Sequence, residues 1–407
     1  MYKYFKGRIS QGFVSLYSGR MVLWISDGLL GLFLPIFLYK LFDFDLNKVI
    51  YYYLIGNLLY GIFVAWGAKY LDKVGLRWSL RISIIWGAAF YLMFYLLDRG
   101  TNASAWLWDY REVIFLLALS IFFLTLNRLM YWIPLHTDLA KFTSRSNRAR
   151  QLGLMEATAI AIGAVMPLLA GWILINYSYD ILFLIAILTF FISLIPFATL
   201  PKTKEIFSWS YGQTWKEFFS RRRRKAVLAY FGDGAESVIG VVIWPIFIWE
   251  ILAGNYFQVG ALSSLIVVIT IFLQLSVGRF ADKGNKSKIL RYGSAFYALG
   301  WIIKIFIATA FQIFITSAYH NLARVFTRTP FDALNYEKTA DQGHYIDEYT
   351  VIHEMAVQFG KSFILIFVLL LLPFLNIQWM FVLAAIASLS MNFLADEEVI
   401  KRESIID

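Results

Sequence analysis

The stretch "GAKYLDKVGLRWSLR" at residues 67–81 and the stretch "GRFADKGNKSK" at residues 278–288 are short charged turns between long apolar runs. The first sets Lys69, Lys73, Arg77 and Arg81 around Asp72, and the second centres on Asp282. Asp72 and Asp282 lie 210 positions apart, as do Pro35 in "LPIFLYKLF" and Pro245 in "WPIFIWEIL". Two landmarks at one offset mark an internal repeat.

Working outward, 59% of the 407 residues are apolar and 16% are charged. A typical soluble chain carries about 25% charged residues, so this surface is built for lipid. Apolar runs of about 20 residues are long enough to cross the hydrocarbon as helices. They fall near 20–40, 49–68, 79–97, 113–134, 152–175 and 180–199, then near 227–249, 257–277, 289–308, 310–328, 350–372 and 376–395. The predicted fold class is therefore an all-α membrane protein of twelve transmembrane helices in a 6+6 repeat. Its expected divisions are an N-terminal six-helix half at 1–200, a basic cytoplasmic linker at 201–226 and a C-terminal six-helix half at 227–407.

Lys and Arg gather on the cytoplasmic side of membrane proteins. Placing both termini there puts most of the 37 basic residues on that side. The expected location is the plasma (inner) membrane, multi-pass. The opening "MYKYFKGRISQGF" is basic and lacks a small-residue cleavage site, so it reads as a retained cytoplasmic leader. The linker run "SRRRRK" has the charge to bind nucleic acid, but the aromatic, amphipathic "TWKEFF" before it favours acidic lipid headgroups. Membrane lipids are expected partners and nucleic acid is not. There is no cysteine and there are four histidines, which argues against disulfides, thiolate chemistry and a zinc site. The full phosphate-loop pattern of ATP hydrolysis, Gly, four residues, then Gly-Lys-Ser or Gly-Lys-Thr, does not occur. The chain does not read as an enzyme, and no cofactor is expected.

Charges inside spanning helices are costly and point to function. In the first half these are Asp27, Arg128 and Glu156, each about two turns from a cytoplasmic helix end and able to form one layer. In the second half they are Asp233, Glu236, Lys304, His353, Glu354, Gln358 and Lys361, with His320, Asn321 and Arg324 nearer the interface. Glu354, Gln358 and Lys361 recur at spacings of four and three and share a helix face. Such groups serve either as a substrate or proton site or as a static ion network that locks helices together.

The two charged turns resemble the signature of the major facilitator superfamily between its second and third helices: Gly, three residues, Asp, Arg or Lys, one residue, Gly, then basic positions. The first copy has Ala68 at the leading glycine, then Asp72, Lys73, Gly75 and Arg77; the second has Gly278, Asp282, Lys283, Asn285 and Lys286. "GAVMPLLAG", with Gly163, Pro167 and Gly171, is similar to a weakened form of the family's fifth-helix motif. The resemblance implies the major facilitator fold and secondary transport of a small-molecule substrate by alternating access. Protons are the expected coupling ion, drug-like or anionic solutes a candidate cargo of an exporter or antiporter, and a monomer the expected state. It also implies a gating role for Asp72, Lys73, Arg77, Asp282 and Lys283. Two alternatives stay open: a lipid or lysolipid flippase of the same fold, and a non-transporting membrane receptor or scaffold.

Overall fold

Backbone buried in hydrocarbon has to satisfy its N–H and C=O groups within its own segment, which long helices do. The computed structural model describes residues 9–102, 109–143, 148–203, 207–281, 286–340 and 346–395, and the regular structure there is all helical. In chain order it comprises α1 (Gln11–Leu30), α2 (Phe33–Leu41), α3 (Leu46–Val74), α4 (Leu76–Asn102), α5 (Tyr110–Phe142), α6 (Arg148–Asn176), α7 (Tyr179–Ala198) and α8 (Tyr211–Phe218). There follow α9 (Arg224–Val238), α10 (Trp244–Ile251), α11 (Tyr256–Ala281), α12 (Lys286–Lys304), α13 (Ala310–Ala340), α14 (Ile346–Leu371) and α15 (Met380–Ser390). Among the described residues nine helical segments are long and apolar enough to cross a membrane, or ten if α1 and α2 form one bent span. The chain is an integral, multi-pass membrane protein. Helices α12 and α13 lie outside that set: each carries charged and polar residues through its apolar sequence. The span predicted over 289–308 stops at Lys304, followed by a turn before Ala310.

The repeat seen in the sequence has a structural basis. A proline cannot donate to residue i−4, and its ring crowds that carbonyl. For Pro35 the affected position is Gly31, where α1 gives way to α2 with a 44° bend. For Pro245 it is Val241, inside a π-helical turn, Ile239–Ile243, between α9 and α10. The turns that follow match bond for bond. Phe44 N–H donates to Tyr39 O (2.8 Å) and Gly254 N–H to Trp249 O (2.9 Å); Asp43 donates to Lys40 O (3.1 Å) and Ala253 to Glu250 O (3.0 Å). Asp43, Phe44, Ala253 and Gly254 all take positive φ. The offset of 210 thus extends to backbone conformation.

The helices sort into two compact units. Unit 1 holds residues 1–37, 66–207 and 256–264, and unit 2 holds 38–65, 208–255 and 265–407. Within unit 1, α4 packs on α5 and α7, and α1 packs on α6 and α7. Within unit 2, α12 packs on α13 and α15, and α9 packs on α14 and α15. These are the same four pairings in each unit. The α4–α7 contact is closed at one end by Arg99 Nε on Asp180 Oδ2 at 3.2 Å. At the other, Arg81 donates to the terminal α7 carbonyls of Phe197 (3.2 Å) and Ala198, where a cation complements the helix dipole. Between them Phe37, Phe94 and Phe183 interlock edge to face or stacked, 5.1–5.8 Å apart.

The turn from α3 to α4 explains a motif position. Gly75 has φ +80, a left-handed conformation that favours glycine, and its N–H closes α3 on Leu71 O at 2.7 Å.

Candidate functional site

Unit 1 places an arginine where the sequence showed only an acid. Arg20 and Asp27 are two turns apart on α1, and their side chains meet at 3.2 Å, Nη1 to Oδ2. Arg20 also donates to Tyr131 Oη at 3.3 Å. Its guanidinium lies 5.1 Å from the Trp132 ring, 5.5 Å from Trp24 and 5.6 Å from Tyr131. Arginine suits such a box because its planar cation stacks on aromatic faces while its edge donates. The side chain of Arg20 is 15% exposed and that of Asp27 46%, so the arginine is held and the carboxylate is presented. The expected layer with Arg128 and Glu156 takes another form. Asp27 pairs with Arg20, Glu156 is exposed on α6 without an ion pair among the described residues, and Arg128 is half-buried on α5. Its neighbour Asn127 donates to Ser83 O at 2.8 Å.

Unit 2 gathers a denser set. Gly234 and Gly360 let α9 and α14 approach closely: a Cβ at Gly234 would stand 2.0 Å from Val357 O, and one at Gly360 1.9 Å from Phe231 O. Two residues on, Glu236 is buried and faces α12: its Oε1 accepts from Tyr297 Oη at 2.6 Å and from Trp301 Nε1 at 3.1 Å. Tyr297, Trp301 and Lys304 recur at spacings of four and three along α12, on one helix face. Lys304 ends that helix with 3% of its surface exposed. Its Nζ lies 4.0 Å from the Trp244 ring centroid and 3.9 Å from that of Trp301. The ring of His320 packs 4.4 Å from Tyr297 and 4.6 Å from Trp301, and its Nδ1 has no partner among the described residues. One buried aromatic cluster therefore holds a carboxylate, an ammonium and an imidazole.

Beside it, Arg328 pairs with the buried Asp233 and reaches Asp332 at 3.4 Å. Farther along α14, the His353 ring packs 4.5 Å from Tyr230, and its Nδ1 lies 4.0 Å from Glu354 Oε1. Gln358 is buried with Oε1 unpartnered among the described residues, and Lys361 is half-buried. Among the described residues no three His, Asp or Glu side chains gather as metal ligands would.

The sequence reading passed over Arg20, Arg328, Tyr297, Trp244 and Trp301. Arg20 and Arg328 stand at the edges of predicted spans, where a basic residue reads as an interfacial anchor. The aromatic partners carried no signal among the many Tyr and Trp residues. Spacing alone could have found Arg20, since i and i+7 share a helix face.

Of the gating set, Asp72 is exposed and its Oδ1 accepts from the backbone N–H of Phe207 at 2.9 Å. It therefore binds the chain following α7 instead of capping its own helix. Lys73 is exposed and Arg77 half-buried. Asp282 and Lys283 lie outside the described residues.

The chain shares its fold with solved transporters. A bacterial homologue of the iron transporter ferroportin, outward-facing with soaked iron, superposes with a TM-score of 0.66 at 17% identity, covering 94% of this chain and 98% of that one. A peptide transporter in complex with sulfate gives 0.69 at 10% identity over 96% and 94%. A D-xylose–proton symporter gives 0.66 at 11% over 93% and 95%. No curated protein sequence matches the chain. The sequence profile described as Major Facilitator Superfamily matches residues 16–233, more than half the chain and including the first charged turn. The protein belongs to the major facilitator superfamily, a family of membrane transporters and not of enzymes.

Proposed function

We propose that this protein is a proton-coupled secondary transporter of a small organic solute, working by alternating access in the plasma membrane with both termini cytoplasmic. In this reading twelve spans form two six-helix halves, 1–200 and 227–407, joined by the linker at 201–226. The matched prolines and turns at an offset of 210 support that division. The observation that carries the coupling assignment is Glu236. A carboxylate within a spanning segment is expensive unless paired or protonated, and this one receives two neutral hydrogen bonds, from Tyr297 and Trp301. It accepts a proton without losing its packing and releases it when those donors or the nearby cations move. Asp233, paired with Arg328, and Lys304, walled by indoles, set the local field. Asp27, presented by Arg20, is the corresponding exposed acid of unit 1. We assign Asp27, Arg128 and Glu156 of unit 1, and His353, Glu354, Gln358 and Lys361 of unit 2, to the substrate or proton site. Asp72, Lys73, Arg77, Asp282 and Lys283 act in gating.

The test is reconstitution into liposomes holding a pH-sensitive dye, challenged with organic anions, organic cations, sugars, amino acids and lysolipids. The expected result is a solute that moves protons with it. Glu236→Gln should abolish gradient-driven accumulation while leaving solute exchange across equal pH intact. Exchange and accumulation lost together would remove Glu236 from coupling, and proton movement with lysolipids alone would replace the solute reading with the flippase.

A further inference from the structure

The linker run carries five positive charges, and the fold uses one of them. Arg223 pairs with Glu217 at 3.0 Å and lies 5.0 Å over the Trp209 ring. The side chains of Arg221, Arg222, Arg224 and Lys225 make no hydrogen bond or ion pair among the described residues. They stand at the start of the membrane-crossing segment Arg221–Ile251, where a chain enters the bilayer through its headgroups.

Directly beside them is a cavity of about 420 Å³, within unit 2. Its walls are apolar: Trp215 and Phe219 of the α8 turn, Val227, Leu228 and Phe231 of α9, and Phe359 of α14. Trp215 stacks on Phe219 at 6.0 Å and leans on Phe359 at 5.6 Å, which holds the α8 wall in place. Arg224 and Ser220 complete the lining, and the Ser220 hydroxyl is buried without a hydrogen-bond partner among the described residues. The volume lies within the roughly 300–1,000 Å³ of small-ligand sites. An apolar chamber bordered by the uncommitted Arg224 guanidinium, with Arg221 and Arg222 next to it in the chain, matches a molecule with a hydrocarbon chain and an anionic head. An organic anion without a chain would leave the chamber empty, and a neutral lipid would leave the arginines unmatched.

We propose that this cavity is a binding site for one anionic phospholipid. One acyl chain lies between α8 and α9, and the phosphate is held by Arg221, Arg222 and Arg224 with the Ser220 hydroxyl. The site is separate from the solute and proton groups described above and does not depend on the transport reading.

The test uses the full-length protein, delipidated in a neutral detergent, with phosphatidylglycerol or phosphatidylcholine of identical chains added and bound lipid counted by native mass spectrometry. The wild type should retain one phosphatidylglycerol in preference to phosphatidylcholine. The combined variant R221Q/R222Q/R224Q should bind it on the order of 100-fold more weakly, taking roughly fivefold for each charge removed near a headgroup. The arginine-to-lysine counterpart keeps the charges and should retain binding, which separates charge loss from misfolding. Leu228→Trp fills the chamber without touching charge and should also release the lipid. Equal retention of the two lipids, or an unaffected R221Q/R222Q/R224Q variant, would overturn the proposal. So would full competition by glycerophosphate with Leu228→Trp still binding, which would reduce the site to surface adsorption of headgroups.

Discussion

Lys304 offers a quantitative test of how this protein keeps a charge out of water. The residue is 3% exposed, and its ammonium faces two indoles at 4.0 and 3.9 Å. A desolvated cation over an aromatic face gains about 2 kcal/mol, so two walls supply about 4 kcal/mol. Against this stands the cost of taking a lysine out of water, for which about 2.5–3.5 kcal/mol, the value at the centre of a membrane helix, is an upper limit. As the last residue of α12, Lys304 also gains about 0.3–1 kcal/mol from the helix C-terminus. These contributions nearly cancel. Lys304→Met, which keeps the stem and drops the charge, should therefore lower unfolding free energy by no more than about 2.5 kcal/mol. Trp244→Leu should cost about 2 kcal/mol for the lost wall in addition to its packing. In the Lys304→Met background that electrostatic part should vanish, giving a coupling of about 2 kcal/mol in a double-mutant cycle. The assay is unfolding in mixed micelles titrated with SDS, followed by tryptophan emission and far-UV circular dichroism. Additivity of the two substitutions to within about 0.5 kcal/mol would refute the reasoning, because the indoles would then be packing and not holding the charge.

Other expectations rest on single contacts. Gly254→Ala should destabilise by about 1–2 kcal/mol, since alanine at φ +78 is strained and its Cβ would meet the Trp249 ring at 3.1 Å; a melting temperature equal to wild type would show that the turn relaxes freely. Gly234→Leu should abolish folded protein in detergent, because even a Cβ would stand 2.0 Å from Val357 O, and a monodisperse, stable preparation would contradict the close α9–α14 approach. Asp72→Asn weakens the charge-assisted bond to Phe207 N–H by about 1 kcal/mol. It should speed proteolysis near residue 207, and unchanged cleavage would mean that Asp72 does not hold that segment. Asp27→Asn should cost no more than about 1 kcal/mol, because Asp27 is nearly half exposed; a larger loss by SDS titration would mean that the pair with Arg20 is shielded from solvent.

Much of the fold was legible in the residues themselves. Membrane residence follows from apolar runs, because hydrocarbon admits only segments that satisfy their own backbone and shed charge. The repeat was legible because a proline and the turn after it impose the same local geometry wherever they occur. Pro35 and Pro245 disturb the helix four residues upstream, and residues 39–45 and 249–255 close with matching hydrogen bonds. Gly75 stands at positive φ in the charged turn for the same local reason.

The sites were legible only as an inventory of charges. Sequence spacing orders residues along one helix and is silent about the neighbour each faces. It listed Asp27 and set it against Arg128; its partner Arg20, two turns away on the same helix, was within reach of spacing, but the Tyr131 and Trp132 side chains that hold Arg20 were not. Glu236 and Lys304 were visible as misplaced charges, but the Tyr297, Trp301 and Trp244 side chains that make them tolerable come from α12 and the start of α10. Partner choice is a property of packing between helices, set by close approaches such as Gly234 on Val357 and Gly300 on His320. Local rules fixed by each residue's own backbone and transfer energy were thus determined by the sequence alone. Which aromatic face or hydroxyl satisfies each buried charge was decided by the tertiary structure, because that choice depends on contacts between residues far apart in the chain.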